Sequence, residues 1–326
     1  MSIKAIVKLA LPLSFAVFLY CSLNPVVDKG GTDTGNPMSD LYAGCLCGSE
    51  NHPICFSALP GSDSGDYDII RGEETAFNVY FKTNFFSSAP IVFTTNTDVY
   101  KDFSTCIRDA KAKSFNFLLS YSGNSSAPAD SGTFYFDWAA FSQEKNISSV
   151  DFGRDQFDYS INRGESATIA INFSKNFSPS PSVFIANNSR TKDFFSSVAA
   201  VSSKAFNYNF CLSGNSRNPV DSGTFSFSWM AIPQNLKIKG IETGTGSIDY
   251  NLVRDGSTSV DIVFAAAFND VPIVIISATS INRDMFVNTF NKTKHGASIK
   301  LNLSNNSQLP TTQGTYSFVW MAIERH

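Results

Sequence analysis

From about residue 58 onward the chain consists of short runs in which apolar residues alternate with others. Phe77-x-Val79-x-Phe81, Phe115-x-Phe117-x-Leu119 and Phe134-x-Phe136-x-Trp138 all follow a period of two. That period marks a strand with one buried face. Turn signals such as Ser122-Gly123-Asn124 and Asp130-Ser131-Gly132 separate the runs. Six or so short strands per roughly ninety residues, with regular turns, predict an antiparallel β-sandwich.

The same pattern occurs three times. Pro90, Pro181 and Pro272 stand 91 residues apart, as do Asp102, Asp193 and Asp284, Gly132, Gly223 and Gly314, and Trp138, Trp229 and Trp320. Gly61, Gly153 and Gly244 keep nearly the same spacing, as do Arg71, Arg163 and Arg254, with one extra residue near Phe85-Phe86 of the first unit. A repeat of this length is long for a stacking solenoid, so each unit is expected to close its own core. The fold class is therefore all-β, with three tandem sandwich modules over 58–146, 147–237 and 238–326. The joining segments are short enough for the modules to pack around a pseudo-threefold axis within one chain.

The first 57 residues differ in composition. Lys4 and Lys8 precede an apolar run, Leu9 to Tyr20, which ends at Cys21. A cationic start followed by an apolar stretch of this length is an export signal over 1–21. It resembles a bacterial lipoprotein signal, in which Cys21 is lipidated; an ordinary cleaved signal and an uncleaved membrane anchor are the alternatives. Each places the bulk of the chain outside the cytoplasm, in the cell envelope or on the surface, and limits membrane contact to the N-terminus. Residues 22–57, with Asp28-Lys29-Gly30-Gly31-Thr32-Asp33, have the composition of a flexible tether. Cys45, Cys47 and Cys55 lie close together there, with His52 between the last two. A local disulfide fits an oxidising compartment better than a metal module at this spacing.

Charge and residue counts exclude several functions. Net charge is −3 with a pI near 5.6, so no phosphate-tracking surface is expected and nucleic acid is not a predicted partner. Only three histidines occur, and Gly-x-Ser-x-Gly, phosphate-loop and His-Glu-x-x-His motifs are absent from the sequence. No enzyme, cofactor or metal site is predicted; a calcium role for Asp63, Asp66 and Asp68 is weakened because the other units lack their crowding.

Within each unit the order of core residues is specific. Phe81-x3-Phe85, Pro90-x-Val92, Ser114-Phe115-x-Phe117 and Phe136-x-Trp138-x-Ala140 recur as Phe173-x3-Phe177, Pro181-x-Val183, Ala205-Phe206-x-Tyr208 and Phe227-x-Trp229-x-Ala231. The third unit has Phe264-x3-Phe268, Pro272-x-Val274 and Phe318-x-Trp320-x-Ala322, with Ala297 at the position of Phe115. This order resembles the H-type lectin domain. The resemblance implies a small β-sandwich that assembles in threes and binds galactose-type sugars. It also places a sugar-contacting cation at the end of the polar loop, where the repeats carry Lys101-Asp102, Lys192-Asp193 and Arg283-Asp284. The family's aromatic in the variable loop is replaced by Ser122-Gly123, Ser213-Gly214 and Ser304-Asn305, which separates the expected fold from galactose specificity.

The candidate carbohydrate-binding residues are thus Lys101, Asp102, Lys192, Asp193, Arg283 and Asp284, joined by Asn124, Asn215 and Asn306 of the variable loop. Charged groups and amides offer the donors and acceptors that sugar hydroxyls need. The competing reading of the pairs is a repeated structural contact or solvated loop, and of the asparagines, turn residues. Trp138, Trp229 and Trp320 share a strand face with Phe136, Phe227 and Phe318, which predicts core rather than sugar stacking. The expected function is glycan binding at module interfaces, for adhesion or glycan capture, by a monomer; the alternative is a structural or protein-binding surface module.

Overall fold

The computed structural model describes residues 44–47 and 55–325, except 82–83, 98–101, 124, 144–148, 190–192, 235, 237 and 281–282, with side chains described from Ala58 onward. The predicted export signal, including Cys21, lies outside the described residues, as do Lys101, Lys192 and Asn124.

The described chain is all-β. Module 1 holds β2 (Cys55–Ile70), β3 (Glu74–Tyr80), β4 (Ile91–Asn96), β5 (Phe103–Lys111), β6 (Ser114–Tyr121) and β7 (Ala129–Phe141). β7 lies between β2 and β4 in one antiparallel sheet, and β6 between β3 and β5 in the other. A short strand, β1 (Gly44–Cys47), adds to β2 with Cys47 opposite Cys55, so strand pairing begins within the predicted tether.

Module 2 repeats the topology with β8 (Asp151–Asn162), β9 (Ser166–Asn172), β10 (Ser182–Asn187), β11 (Phe194–Ala199), β12 (Ala205–Leu212) and β13 (Val220–Ile232). Module 3 does so with β14 (Ile241–Val253), β15 (Ser257–Val263), β16 (Ile273–Ala278), β17 (Met285–Thr293), β18 (Gly296–Leu303) and β19 (Thr311–Ile323). The sheets are β8-β13-β10 with β9-β12-β11, and β14-β19-β16 with β15-β18-β17.

Each module has its own core, and the tryptophans lie in it at 0%, 4% and 6% exposure. The repeated glycine is explained by the same packing. Gly61, Gly153 and Gly244 pair directly across from Trp138, Trp229 and Trp320. A Cβ on any of them would fall 2.4 Å from the indole.

A fourth core joins the modules. Phe93, Ala139 and Phe141 of module 1 meet Phe184, Met230 and Ile232 of module 2 and Ile275, Met321 and Ile323 of module 3. The ends of β7, β13 and β19 are therefore buried on both faces. Trp138 and Ala140 point into their own sandwich, while Ala139 and Phe141 point to the shared core. This is why alternation gives way there to the continuous runs Trp138-Ala-Ala-Phe141, Trp229-Met-Ala-Ile232 and Trp320-Met-Ala-Ile323.

The outer edges of β4, β10 and β16 also meet. Unpaired edge amides invite further pairing and are protected here by neighbouring hydroxyls. Ile185 N–H donates to Ser277 Oγ (3.1 Å), and Ile276 N–H donates to Thr95 Oγ1 (3.0 Å). The third position of that hydroxyl set is Ala186. Every module thus presents one surface to the next and a different one to the previous, a head-to-tail arrangement that closes after three.

Candidate functional site

The repeated aspartates immediately precede β5, β11 and β17. Asp102, Asp193 and Asp284 have φ of 65°, 62° and 62°. Asp tolerates this left-handed conformation better than most residues. In each, the backbone carbonyl accepts from the serine of its own variable loop: Ser122 N–H to Asp102 O, Ser213 N–H to Asp193 O and Ser304 N–H to Asp284 O, all 2.8 Å.

The carboxylates face the adjoining module. Ser122 Oγ donates to Asp193 Oδ1 (2.6 Å), Ser213 Oγ to Asp284 Oδ1 (2.6 Å), and Ser304 Oγ to Asp102 Oδ1. The three bonds run from module 1 to 2, 2 to 3 and 3 to 1. Asp102 and Asp284 are only 3% and 7% exposed. Burial pushes both carboxyls above their ordinary value, opposed by serine hydrogen bonds; nearby Asp255 and Asp284 raise Asp102 further.

The asparagines join the same ring. Asn215 Nδ2 donates to Asp284 Oδ2 (3.3 Å) and to the Asn306 carbonyl. Asn215 and Asn306 backbone amides donate to Ser213 Oγ (3.0 Å) and Ser304 Oγ (3.1 Å). The predicted aspartates and the described asparagines, Asn215 and Asn306, do converge, but around a cavity of about 20 Å³. That holds about one water and no sugar. Asp102 and Asp284 therefore connect modules, and a glycan could reach them only by opening a seam. Arg283 is exposed at the seam between modules 2 and 3, its Nη1 3.5 Å from where a Cβ on Gly164 would lie.

Asp193, half-buried, borders a larger space. A crevice of about 360 Å³ lies between the module 1 loop at Gly123 and the module 2 residues Tyr159, Phe194, Arg217, Asn218 and Asp221. Tyr159 Oη donates to Asp221 Oδ1 (2.9 Å), and burial with Asp221 raises the tyrosine's pKa. Arg217 and Asn218 are exposed. Arg163 fixes the loop carrying them, donating from Nη1 to the Ser216 carbonyl (3.1 Å); Arg71 does the same to Ser125 (3.0 Å).

The corresponding positions at the other seams are closed or altered. Gln308, counterpart of Arg217, packs against Gly214 with its Oε1 3.4 Å from a Cβ position there. Ser126, the other counterpart, accepts from Asn305 Nδ2 (3.1 Å). Asp221 has counterparts Asp130 and Thr312. Tyr159, repeated as Tyr67 and Tyr250, and Asp221, shared with Asp130, carry no mark of a site in their spacing, while Arg217 and Asn218 were missed because sequence reasoning sought residues common to all repeats. For these two the detectable signal was the opposite: Ser126-Ala127, Arg217-Asn218 and Gln308-Leu309 differ at two adjacent loop positions.

Among the described residues no group of three or more His, Cys, Asp or Glu is placed to hold a metal. Asp66, Asp158 and Asp249 each accept instead from a cross-strand threonine, Thr133, Thr224 and Thr315, at 2.6–2.7 Å. Cys106 and Cys211 are free and buried, and burial pushes both thiols up to about 12.

No protein-family model, curated protein or solved structure matches the chain.

Proposed function

We propose that this protein is an exported, surface-anchored glycan-binding protein, acting in adhesion or glycan capture through the crevice between modules 1 and 2. The observation that carries this reading is the composition of that crevice. Half-buried Tyr159, packed edge-on with the core residue Phe194, brings aromatic surface beside Asp193, Asp221, Arg217 and Asn218. Carboxylates, a guanidinium and an amide give acceptors and donors to hydroxyl pairs, and ring surface complements the apolar face of a sugar. The resemblance to H-type lectin domains, resting on the core residues quoted above, supports the same class. The chain acts as a monomer with an internal threefold arrangement, and the N-terminal segment supplies its membrane contact.

A second reading has its own observation. The most regular polar feature, the Asp–Ser ring, connects modules rather than facing solvent. A structural or protein-binding surface module without a sugar site would need no more. A glycan-array screen of the full chain separates the two. Saturable binding to a defined set of glycans supports the first; folded protein that binds nothing across a broad array leaves the second.

A further inference from the structure

The three seams also carry a second set of equivalent positions, on the flank away from the Asp–Ser ring. Ser62, Arg154 and Thr245 each follow the repeated glycine, and Arg325 corresponds to Gln234 one repeat earlier. At the seam between modules 1 and 2, Arg154 Nη2 donates to the carbonyls of Ala89 (3.1 Å) and Pro90 (2.8 Å). At the seam between modules 3 and 1, Arg325 Nη2 donates to Ser62 Oγ and lies 3.8 Å from Asp137 Oδ1. Both seams are therefore filled by a guanidinium, drawn from different positions.

The seam between modules 2 and 3 has an arginine at neither position. Thr245 and Gln234 stand there, both exposed, and a crevice of about 560 Å³ remains between them. Its walls include Ser180 and Pro181, the counterparts of Ala89 and Pro90 whose carbonyls receive Arg154. Phe318 and Val319 also line it.

We propose that this crevice binds a guanidinium group supplied from outside the chain, either as free arginine or as an arginine side chain of a partner polypeptide. A planar fork of N–H donors suits adjacent carbonyl oxygens, whereas an ammonium is a compact point charge that matches them less well. The seam between modules 1 and 2 serves as the internal template, since Arg154 sits there on the two carbonyls; at the seam between modules 3 and 1 Arg325 is held instead by Ser62 and Asp137, whose counterparts in this crevice are Thr245 and Val319.

The test titrates the full chain with three probes: acetyl-Gly-Arg-Gly-amide, its lysine counterpart and free L-arginine. Amide NMR shifts at Thr245, Gly246 and Ser247 are the readout. The arginine peptide is expected to bind at least about tenfold more tightly than the lysine peptide. Equal binding of free arginine identifies the small molecule as a sufficient source, and binding of the peptide alone identifies a polypeptide. Thr245→Arg, which copies Arg154, should abolish binding and raise the melting temperature; Gln234→Arg, which copies Arg325, is the second variant should the first not fold. Arg154→Thr should open a further site and raise the stoichiometry from one to two. Equal binding of the lysine peptide, or binding that survives a folded plugging variant, overturns the proposal.

Discussion

The seam between modules 3 and 1 differs from the one between modules 1 and 2 in what holds it. Modules 1 and 2 are joined by a short connecting segment, and their flank carries a lone arginine on two carbonyls. Modules 3 and 1 have no such connection, and their seam carries a buried charge cluster. Asp137, fully buried, accepts from Lys292 Nζ (2.5 Å), Ser62 Oγ (2.5 Å) and Val274 N–H (3.4 Å), with Arg325 3.8 Å away. Its repeat counterparts are Ser228 and Val319, so the cluster belongs to this seam alone. The seam between modules 2 and 3 uses neither device there, and packs Phe195 edge-on against Phe286 at 5.5 Å. A duplicated module thus keeps the common axis contacts and varies the flanks. The variation gives each seam its own set of contacts. It also leaves open crevices where the flanking residues do not close them.

Disrupting the charge cluster should have the largest effect on this comparison. Asp137→Ala leaves Lys292 and Arg325 facing an apolar seam, and losing one partner of a buried pair costs about 3–5 kcal/mol. Arg154→Ala at the other seam removes hydrogen bonds of a more exposed group and should cost only about 1 kcal/mol. Urea unfolding of both variants reads the difference; equal losses would show that the seams do not differ as described.

Next come the axial hydroxyls. Ser213→Ala and Ser304→Ala each remove a donor from a buried carboxylate and should cost about 1.5–3 kcal/mol. Ser122→Ala, whose acceptor Asp193 is half-buried, should cost less than either. Chemical denaturation ranks the three, and a larger loss for Ser122→Ala would reverse the expected order.

A smaller change runs the other way. Ala186→Ser supplies the hydroxyl missing from the set formed by Thr95 and Ser277. It should stabilise the chain by at most about 1 kcal/mol, seen as a higher urea midpoint.

The smallest expected effect is on pH dependence. Asp102 and Asp284 titrate above their ordinary value of 3.8 in the folded chain, so the folded state holds protons that the unfolded state has released. Their contribution favours folding most below the ordinary value and fades as pH rises through the folded value. The urea midpoint difference between the chain and Asp102→Asn/Asp284→Asn should therefore vary across this window, moving in favour of the parent chain at lower pH.

Much of the fold was legible in the sequence because it depends on local period and on repetition. Alternation located the strands, and a constant spacing of 91 located the modules. Trp138 and its copies were recognisable as core from their in-phase phenylalanines. Burial on the second face of Ala139-Ala140-Phe141 was harder to see, since a continuous apolar run does not say what covers it. The candidate site was legible only in part. Repetition picked out the aspartates and asparagines, but repetition is also the mark of contacts that every seam needs. Ser122 meets Asp193 across 71 residues of chain, and nothing in the local pattern of either residue reports that meeting. Arg217 and Asn218 break the repeat and so differ from the residues that repetition singles out.

The most direct test compares seams on a glycan array. The full chain, an Arg217→Ala/Asp221→Asn variant and a Gln308→Ala/Thr312→Ala variant at the corresponding positions of the next module are screened side by side. Glycan binding that disappears in the first variant and persists in the second is the predicted result. Binding unaffected by the first variant, or lost equally in both, would contradict a site in the crevice between modules 1 and 2.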